Sequence, residues 1–304
     1  MPDLSVTIAG VKFSNPVLVA SGTFGYGEEY GKLIDLSRLG GIVCKSVTLL
    51  PREGNPPPRT VETPSGMLNS IGLTNIGVDR FIQEKLPFLQ KQKTRIIVNV
   101  AGGTIEEYVE VVRRLNRCQG IDMLEINISC PNVKEGGLAF GAKHKSAHSC
   151  IKQVKENSQF PIIAKLSPNV TDIEKIAQGV EDAGADAISL INTLVGMAID
   201  VEKRKPILGN VTGGLSGPAI KPVALAMVWK VARAVNVPVI GLGGIMNTRD
   251  VLEFLLAGAS LIQIGTANFV DPQTSIKIIN GLNGYLREKG IKRITDLVGK
   301  LETD

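Results

Sequence analysis

Cysteine is scarce in this 304-residue chain. The four residues, Cys44, Cys118, Cys130 and Cys150, lie far apart and form no C-x-x-C pair. A disulfide framework, a zinc site or an iron–sulfur cluster held by this chain alone is therefore not expected. Aromatics make up only 4% of the residues, and 34 Lys and Arg against 29 Asp and Glu leave a formal charge of +5 without a basic run. Nucleic-acid binding, which needs a basic face and stacking platforms, finds no support in that pattern. No apolar run approaches the roughly 20 residues needed to span a bilayer. The start, Met1 to Val6, has neither a basic n-region nor a long apolar stretch, so a secretory signal is not expected. The expectation is a soluble, cytoplasmic protein with reduced thiols and no membrane association. Histidine is limited to His144 and His148. Their i, i+4 spacing could hold a metal, but without an H-E-x-x-H glutamate they read as a solvated helix face, and no metal site is assigned.

Glycine, by contrast, is plentiful: 33 residues, about 11% of the chain, against roughly 7% on average. Short β-branched runs alternate with longer helical patterns. Candidate strands are Val17–Ala20, Gly41–Ser46, Arg95–Val100, Met123–Ile128, Pro161–Leu166, Ala187–Ile191, Val237–Gly241 and Leu261–Gly265. Most are apolar throughout, as parallel strands buried on both faces must be. Candidate helices are Ile105–Arg117, Lys143–Ser158, Asp172–Ala183, Pro222–Val235, Thr248–Leu256 and Pro272–Lys289. A doubly wound open sheet also alternates strands and helices, but eight units with this glycine distribution predict a (β/α)8 barrel. Leu4–Ile8 and Val11–Phe13, joined around Ala9-Gly10, predict a small hairpin ahead of it. With no internal repeat and no separable second domain, residues 1–304 read as one domain. Two long connections, Val47–Asn75 and Asn192–Lys221, both follow strands. In a barrel they fall at the C-terminal face, where active sites sit.

Several residue types collect at that face. Gly241-Leu242-Gly243-Gly244 follows the seventh strand and Gly265-Thr266 the eighth, the two places where such barrels commonly bind a phosphate. Cys130, in Asn127-Ile128-Ser129-Cys130-Pro131-Asn132, lies just beyond the fourth strand and could be a nucleophile, a general base or a packed filler. Lys45 and Lys165 end strands, where a buried lysine needs either a structural carboxylate partner or a chemical role such as a Schiff base. Asn69, Asn127 and Asn192 lie in or beside mouth segments and offer donors and acceptors suited to an imide or amide edge. Together these residues suit a planar, anionic heterocycle.

Val19-Ala20-Ser21-Gly22-Thr23-Phe24-Gly25, Lys45-Ser46, Arg52-Glu53-Gly54-Asn55-Pro56, Asn69-Ser70-Ile71-Gly72-Leu73, Asn127 to Asn132 and Gly213-Gly214-Leu215-Ser216-Gly217 occur in this order. Over essentially its whole length the chain resembles the dihydroorotate dehydrogenase family. Asn192 to Asp200 is similar to the type B catalytic subunit, and a cysteine at 130 fits the soluble types. The loop 72–77 departs slightly, the family having Gln and Pro near Thr74 and Ile76. The resemblance implies an FMN enzyme of pyrimidine synthesis that oxidises (S)-dihydroorotate to orotate. It implies FMN contacts from Ser21, Lys45, Ser46, Asn99, Asn127, Lys165, Ile191, Gly217, Gly243, Gly244, Gly265 and Thr266. It implies substrate contacts from Lys45, Asn69, Ser70, Ile71, Gly72, Leu73, Asn127, Asn192 and Thr193. Cys130 would be the base at substrate C5 while hydride leaves C6 for the flavin N5; separately, the glycines Gly136-Gly137 give its loop the hinge freedom with which it could act as a lid. Type B further implies a homodimer of this chain completed to a heterotetramer by an electron-transfer subunit carrying FAD and a 2Fe-2S cluster, with NAD+ as final acceptor. The alternatives are a type A, fumarate-dependent homodimer and, in another class, a phosphate-binding barrel lyase using Lys165.

Overall fold

The computed structural model describes residues 2–129, 141 and 143–303. Two short strands, β1 (Val6–Ile8) and β2 (Val11–Phe13), pair antiparallel with Val6 opposite Phe13. The turn between them places Ala9 and Gly10 at positive φ, the geometry that tight two-residue hairpins require. Leu4, Val6, Ile8 and Phe13 are buried in the common core.

Eight parallel strands follow: β3 (Val17–Val19), β4 (Gly41–Val43), β7 (Arg95–Val100), β8 (Met123–Asn127), β9 (Ile162–Lys165), β10 (Ala187–Leu190), β15 (Val239–Leu242) and β16 (Ala259–Ile264). Each pairs with the next in chain order and β16 returns to β3, closing the barrel. Their residues are buried on both faces almost without exception, which is why they are apolar throughout. The (β/α)8 barrel expected from the sequence is therefore the fold.

The outer helices are α3 (Ile105–Leu115), α4 (His144–Asn157), α5 (Ile173–Asp182), α6 (Lys221–Ala234), α7 (Thr248–Leu256) and α9 (Thr274–Glu288), with a four-residue α8 (Ala267–Val270) after β16. Their starts follow local chemistry. Thr104 and Asp172 accept from the backbone N–H three residues on, and Asn247 with Asp250 forms a reciprocal capping box. Among the described residues no helix is long and apolar enough to cross a membrane.

Three features depart from the sequence expectation. After β3 there are only single 3-10 turns, Tyr30–Lys32 and Leu36–Arg38, in place of a helix. After the second barrel strand an unforeseen helical segment runs through α1 (Val78–Arg80), a wide π turn (Phe81–Lys85) and α2 (Leu86–Gln90). The wide turn sits next to Pro87, which has no N–H to continue a regular ladder. Third, the two long connections are not irregular. They contribute β5 (Thr60–Thr63), β6 (Gly66–Asn69), β11 (Leu194–Met197) and β14 (Thr212–Ser216) to one antiparallel sheet, and between its last two strands lies a two-stranded ribbon, β12 (Ile199–Asp200) with β13 (Lys205–Pro206).

Candidate active site

A cavity of about 490 Å³ opens where the barrel strands end and the added sheet begins. Its size is within the range of pockets that hold a cofactor-sized ligand. Ser21, Lys45, Ser46, Asn127, Lys165 and Ile191 line it from the strand ends. Gly217, Gly243, Gly244, Gly265 and Thr266 line it from the later loops, and Asn69 to Leu73, Asn192 and Thr193 from the added sheet and its flanks. Asn99 does not reach the cavity wall: it is fully buried behind Ser46, whose hydroxyl donates to Asn99 Oδ1 at 2.6 Å. Cys130 lies outside the described residues, as do Gly136 and Gly137.

At one side the glycine turn of 243–244 is fixed by its surroundings. Gly244 has φ +73°, and a Cβ there would stand 2.7 Å from the Lys221 backbone nitrogen and 2.8 Å from the Gly217 carbonyl oxygen. This turn therefore abuts the first residue of α6, the kind of helix start that favours anions. Gly241, by contrast, belongs to β15 and packs on Phe254 rather than forming the turn. Lys221 Nζ holds Asp250 and Glu253 at 2.6 and 2.7 Å, while Asp250 Oδ2 accepts from the Met246 and Asn247 backbone. The loop after β15 is thus tied down at both ends. Across from it, Thr266 Oγ1 donates to Ser216 Oγ at 2.8 Å.

The asparagines are pre-positioned. Asn192 Nδ2 donates to Ser129 Oγ at 2.6 Å, and that hydroxyl donates to Asn127 Oδ1 at 2.6 Å. Tyr108 donates to the Asn127 carbonyl at 2.7 Å. Asn69, at the end of β6, donates to the Gly214 carbonyl of β14 at 3.3 Å. Ser129 and Ser216 were not legible as site residues. Ser129 stands next to an obvious candidate thiol, and Ser216 is one residue of a glycine-rich motif.

The two lysines differ. Among the described residues no carboxylate lies within ion-pair distance of Lys45, whose pKa is lowered by burial and further by the Arg59 guanidinium, against an opposing effect of Glu29. Lys165 faces Glu125, 3.4 Å away and wholly inaccessible to solvent. Glu125 is the residue that sequence reasoning missed. The signal was present: one carboxylate inside the apolar run Met123 to Asn127, paired in register with the strand that carries Lys165. The described thiols are poor bases. Burial pushes Cys44 and Cys150 up to about 12 and raises Cys118. His144 and His148 stack with ring centroids 6.5 Å apart, and no metal-competent cluster occurs among the described residues.

A cation-bearing, asparagine-lined cavity at the strand ends, beside a glycine turn at a helix start, has the place and lining of a (β/α)8 barrel enzyme's active site. The family model for dihydroorotate dehydrogenase matches residues 3–286, so the chain belongs to the dihydroorotate dehydrogenase family. It is 57% identical over 302 residues to the dihydroorotate dehydrogenase B (NAD(+)) catalytic subunit of Geotalea uraniireducens, covering 99% of both chains. The proteins of the same name from Desulforamulus reducens and Bacteroides thetaiotaomicron are 58% and 56% identical, over 98% and 99% of this chain and 98% and 100% of theirs. A crystal structure of DHODH from Eimeria tenella in complex with ferulenol shares the fold, with a TM-score of 0.81 at 24% identity over 99% of this chain and 89% of that one.

Proposed function

We propose that this chain is the catalytic subunit of a type B dihydroorotate dehydrogenase, oxidising (S)-dihydroorotate to orotate in pyrimidine biosynthesis in the cytoplasm. All 304 residues would form one FMN-binding domain. The observation that carries the reading is that the expected cofactor and substrate residues, from Ser21 to Thr266, converge on one cavity, Asn99 apart. The cavity also fits the cofactor chemically. Two cavity-lining residues carry buried polar atoms without a partner among the described residues, Gln263 Oε1 and Ser70 Oγ. Buried acceptors and hydroxyls are ordinarily satisfied, so both call for a polar ligand. In this reading Gly217, Gly243, Gly244, Gly265 and Thr266 hold the phosphate, while Ser21, Lys45, Ser46, Asn127, Lys165 and Ile191 surround the ring system and Asn99 acts from behind Ser46.

Bound FMN supplies the two-electron acceptor for the hydride leaving C6. The protein handles the proton: Cys130, as thiolate, takes it from C5. Asn127 and Asn192, locked together through Ser129, fix the pyrimidine ring so that the two hydrogens depart along set directions. Asn69, Ser70, Ile71, Gly72, Leu73 and Thr193 close around the same ring, and the Lys45 ammonium attracts its carboxylate. Lys165 offsets negative charge that develops on the cofactor side. Electrons would leave through a separate subunit bearing FAD and a 2Fe-2S cluster to NAD+, with a dimer of this chain at the centre of a heterotetramer.

The test is anaerobic single-turnover reduction of bound FMN by dihydroorotate. Cys130→Ala is expected to lower the rate by about 100-fold or more, the usual worth of a general base. The wild-type rate should climb with pH between 6 and 9 as the thiol ionises, from an unperturbed pKa of about 8.5. Wild-type reduction by Cys130→Ala, or a flat profile, would refute the base. A colourless protein that releases no FMN on denaturation would refute the flavin reading, and efficient direct reduction of NAD+ by this chain alone would refute the partner.

A further inference from the structure

Glu125 lies beneath the cavity, with no exposed surface and no place in its lining. A carboxylate offers about four acceptor sites, and here four donors fill them. Asn99 Nδ2 at 2.7 Å and Lys165 Nζ at 3.4 Å share Oε1, while Gln263 Nε2 at 2.6 Å and Ser189 Oγ at 2.9 Å share Oε2. All four neighbours donate and the carboxylate oxygens accept, so both amides turn their nitrogen toward it. This fixes their oxygens. Asn99 Oδ1 accepts the Ser46 hydroxyl proton, leaving Ser46, on the cavity wall, with only lone pairs to offer a ligand. Gln263 lines the cavity and keeps Oε1 as a buried acceptor without a donor.

We propose that Glu125 is a positioning residue that sets the hydrogen-bond polarity of the cavity floor, so that Gln263 and Ser46 present acceptors beside the Lys165 cation. A floor of two acceptors and one cation selects a ring edge that offers an N–H donor next to oxygens or nitrogens able to carry negative charge. The imide edge of a flavin has that pattern, and the proposal rests on the cavity being the FMN site. Glu125 itself touches neither ring nor substrate. It acts through the residues it orients.

The experiment compares FMN with N3-methyl-FMN, which lacks the imide donor, by fluorescence titration of FMN-stripped full-length protein. Wild type is expected to prefer FMN at least tenfold. Glu125→Gln keeps the shape but turns an N–H2 toward the donors, so an amide must rotate and present its own N–H2 to the ring. Its preference should fall below threefold, with FMN itself bound at least tenfold more weakly. A purely structural role would lower thermal stability and leave the preference of the folded protein intact. If Glu125→Gln does not fold, Gln263→Met removes the acceptor while Glu125 keeps its other three donors, and it should lose the preference likewise. Equal binding of the two flavins by wild type, or an undiminished preference in the folded variant, overturns the proposal. Failure of wild type to bind FMN at all would instead overturn the functional reading beneath it.

Discussion

Alanine at Gly244 and at Gly265 should separate folding from cofactor binding, because the two glycines meet different surroundings. At Gly244, φ is +73° and the added Cβ lands 2.7 Å from one backbone atom and 2.8 Å from another. The left-handed conformation costs an L-residue about 1–2 kcal/mol. The clash adds about 1–3 kcal/mol, since no side-chain rotation relieves it. The total of about 2–5 kcal/mol should lower the FMN-free melting temperature by roughly 3–8 °C. At Gly265 a Cβ meets nothing nearer than 3.7 Å, and its neighbours Ala20 and Thr23 line the cavity with it. Gly265→Ala should therefore melt within about 2 °C of wild type. It still places a methyl where the backbone is proposed to approach a phosphate, so FMN should bind at least about tenfold more weakly, a loss near 1.4 kcal/mol. Thermal unfolding without FMN and flavin-fluorescence titration read the two effects independently. The reasoning is refuted if Gly265→Ala binds FMN within twofold of wild type, or if it destabilises the FMN-free protein as much as Gly244→Ala does.

Three further outcomes follow from other sites. The Cys44 thiol is pushed up by burial from 9.0 to about 12, so the unfolded chain releases its proton near pH 9 while the folded one retains it. Stability is then complete below pH 9 and falls by about 1.4 kcal/mol per pH unit up to about pH 12. Urea unfolding at pH 8 and 10 should show wild type losing about 1.4 kcal/mol more than Cys44→Ala between them, and parallel losses would contradict the assignment. Asn247→Ala removes the capping box of α7 and should cost about 1 kcal/mol by urea unfolding; no change would mean the cap is replaced by solvent. Ser129→Ala unlinks Asn127 from Asn192, which should lower kcat/KM for dihydroorotate about tenfold, one hydrogen bond's worth or slightly more. An unchanged kcat/KM would show that the link does not orient the substrate.

The barrel was readable because burial on both faces forces strands such as Ile162–Lys165 to be apolar, and because caps such as Asp172 mark helix starts. The added sheet was not. Thr60–Thr63 is half exposed, and Thr212–Ser216 contains two glycines, so neither shows the composition of a strand. Both are strands because each pairs with a distant segment. The helical stretch of residues 78–90 was hidden by Pro87, which ordinarily ends a helix pattern. Within the site, mouth positions for Lys45, Asn69, Asn127 and Asn192 followed from strand ends and loop lengths alone. Asn99 is an instance of the opposite: a motif residue whose contacts run through Ser46 and Glu125, a relation visible only once three strands stand side by side.

The antiparallel sheet above the barrel has a consequence for the order of assembly. Its central pairing sets Asn69 against Gly214, 145 residues apart, and joins loops that leave different barrel strands. Closing so long a loop is entropically costly until the intervening strands have already brought its ends together. The pairing thus belongs to the last stage of folding, after the barrel strands are in place. Amide exchange pulsed during refolding should protect Gly214 and Leu215 later than Ile163 and Ile188. Completion of the Asn69–Gly214 pairing would then report on a finished barrel, and a chain arrested earlier could present its glycine turns without the sheet that carries Asn69.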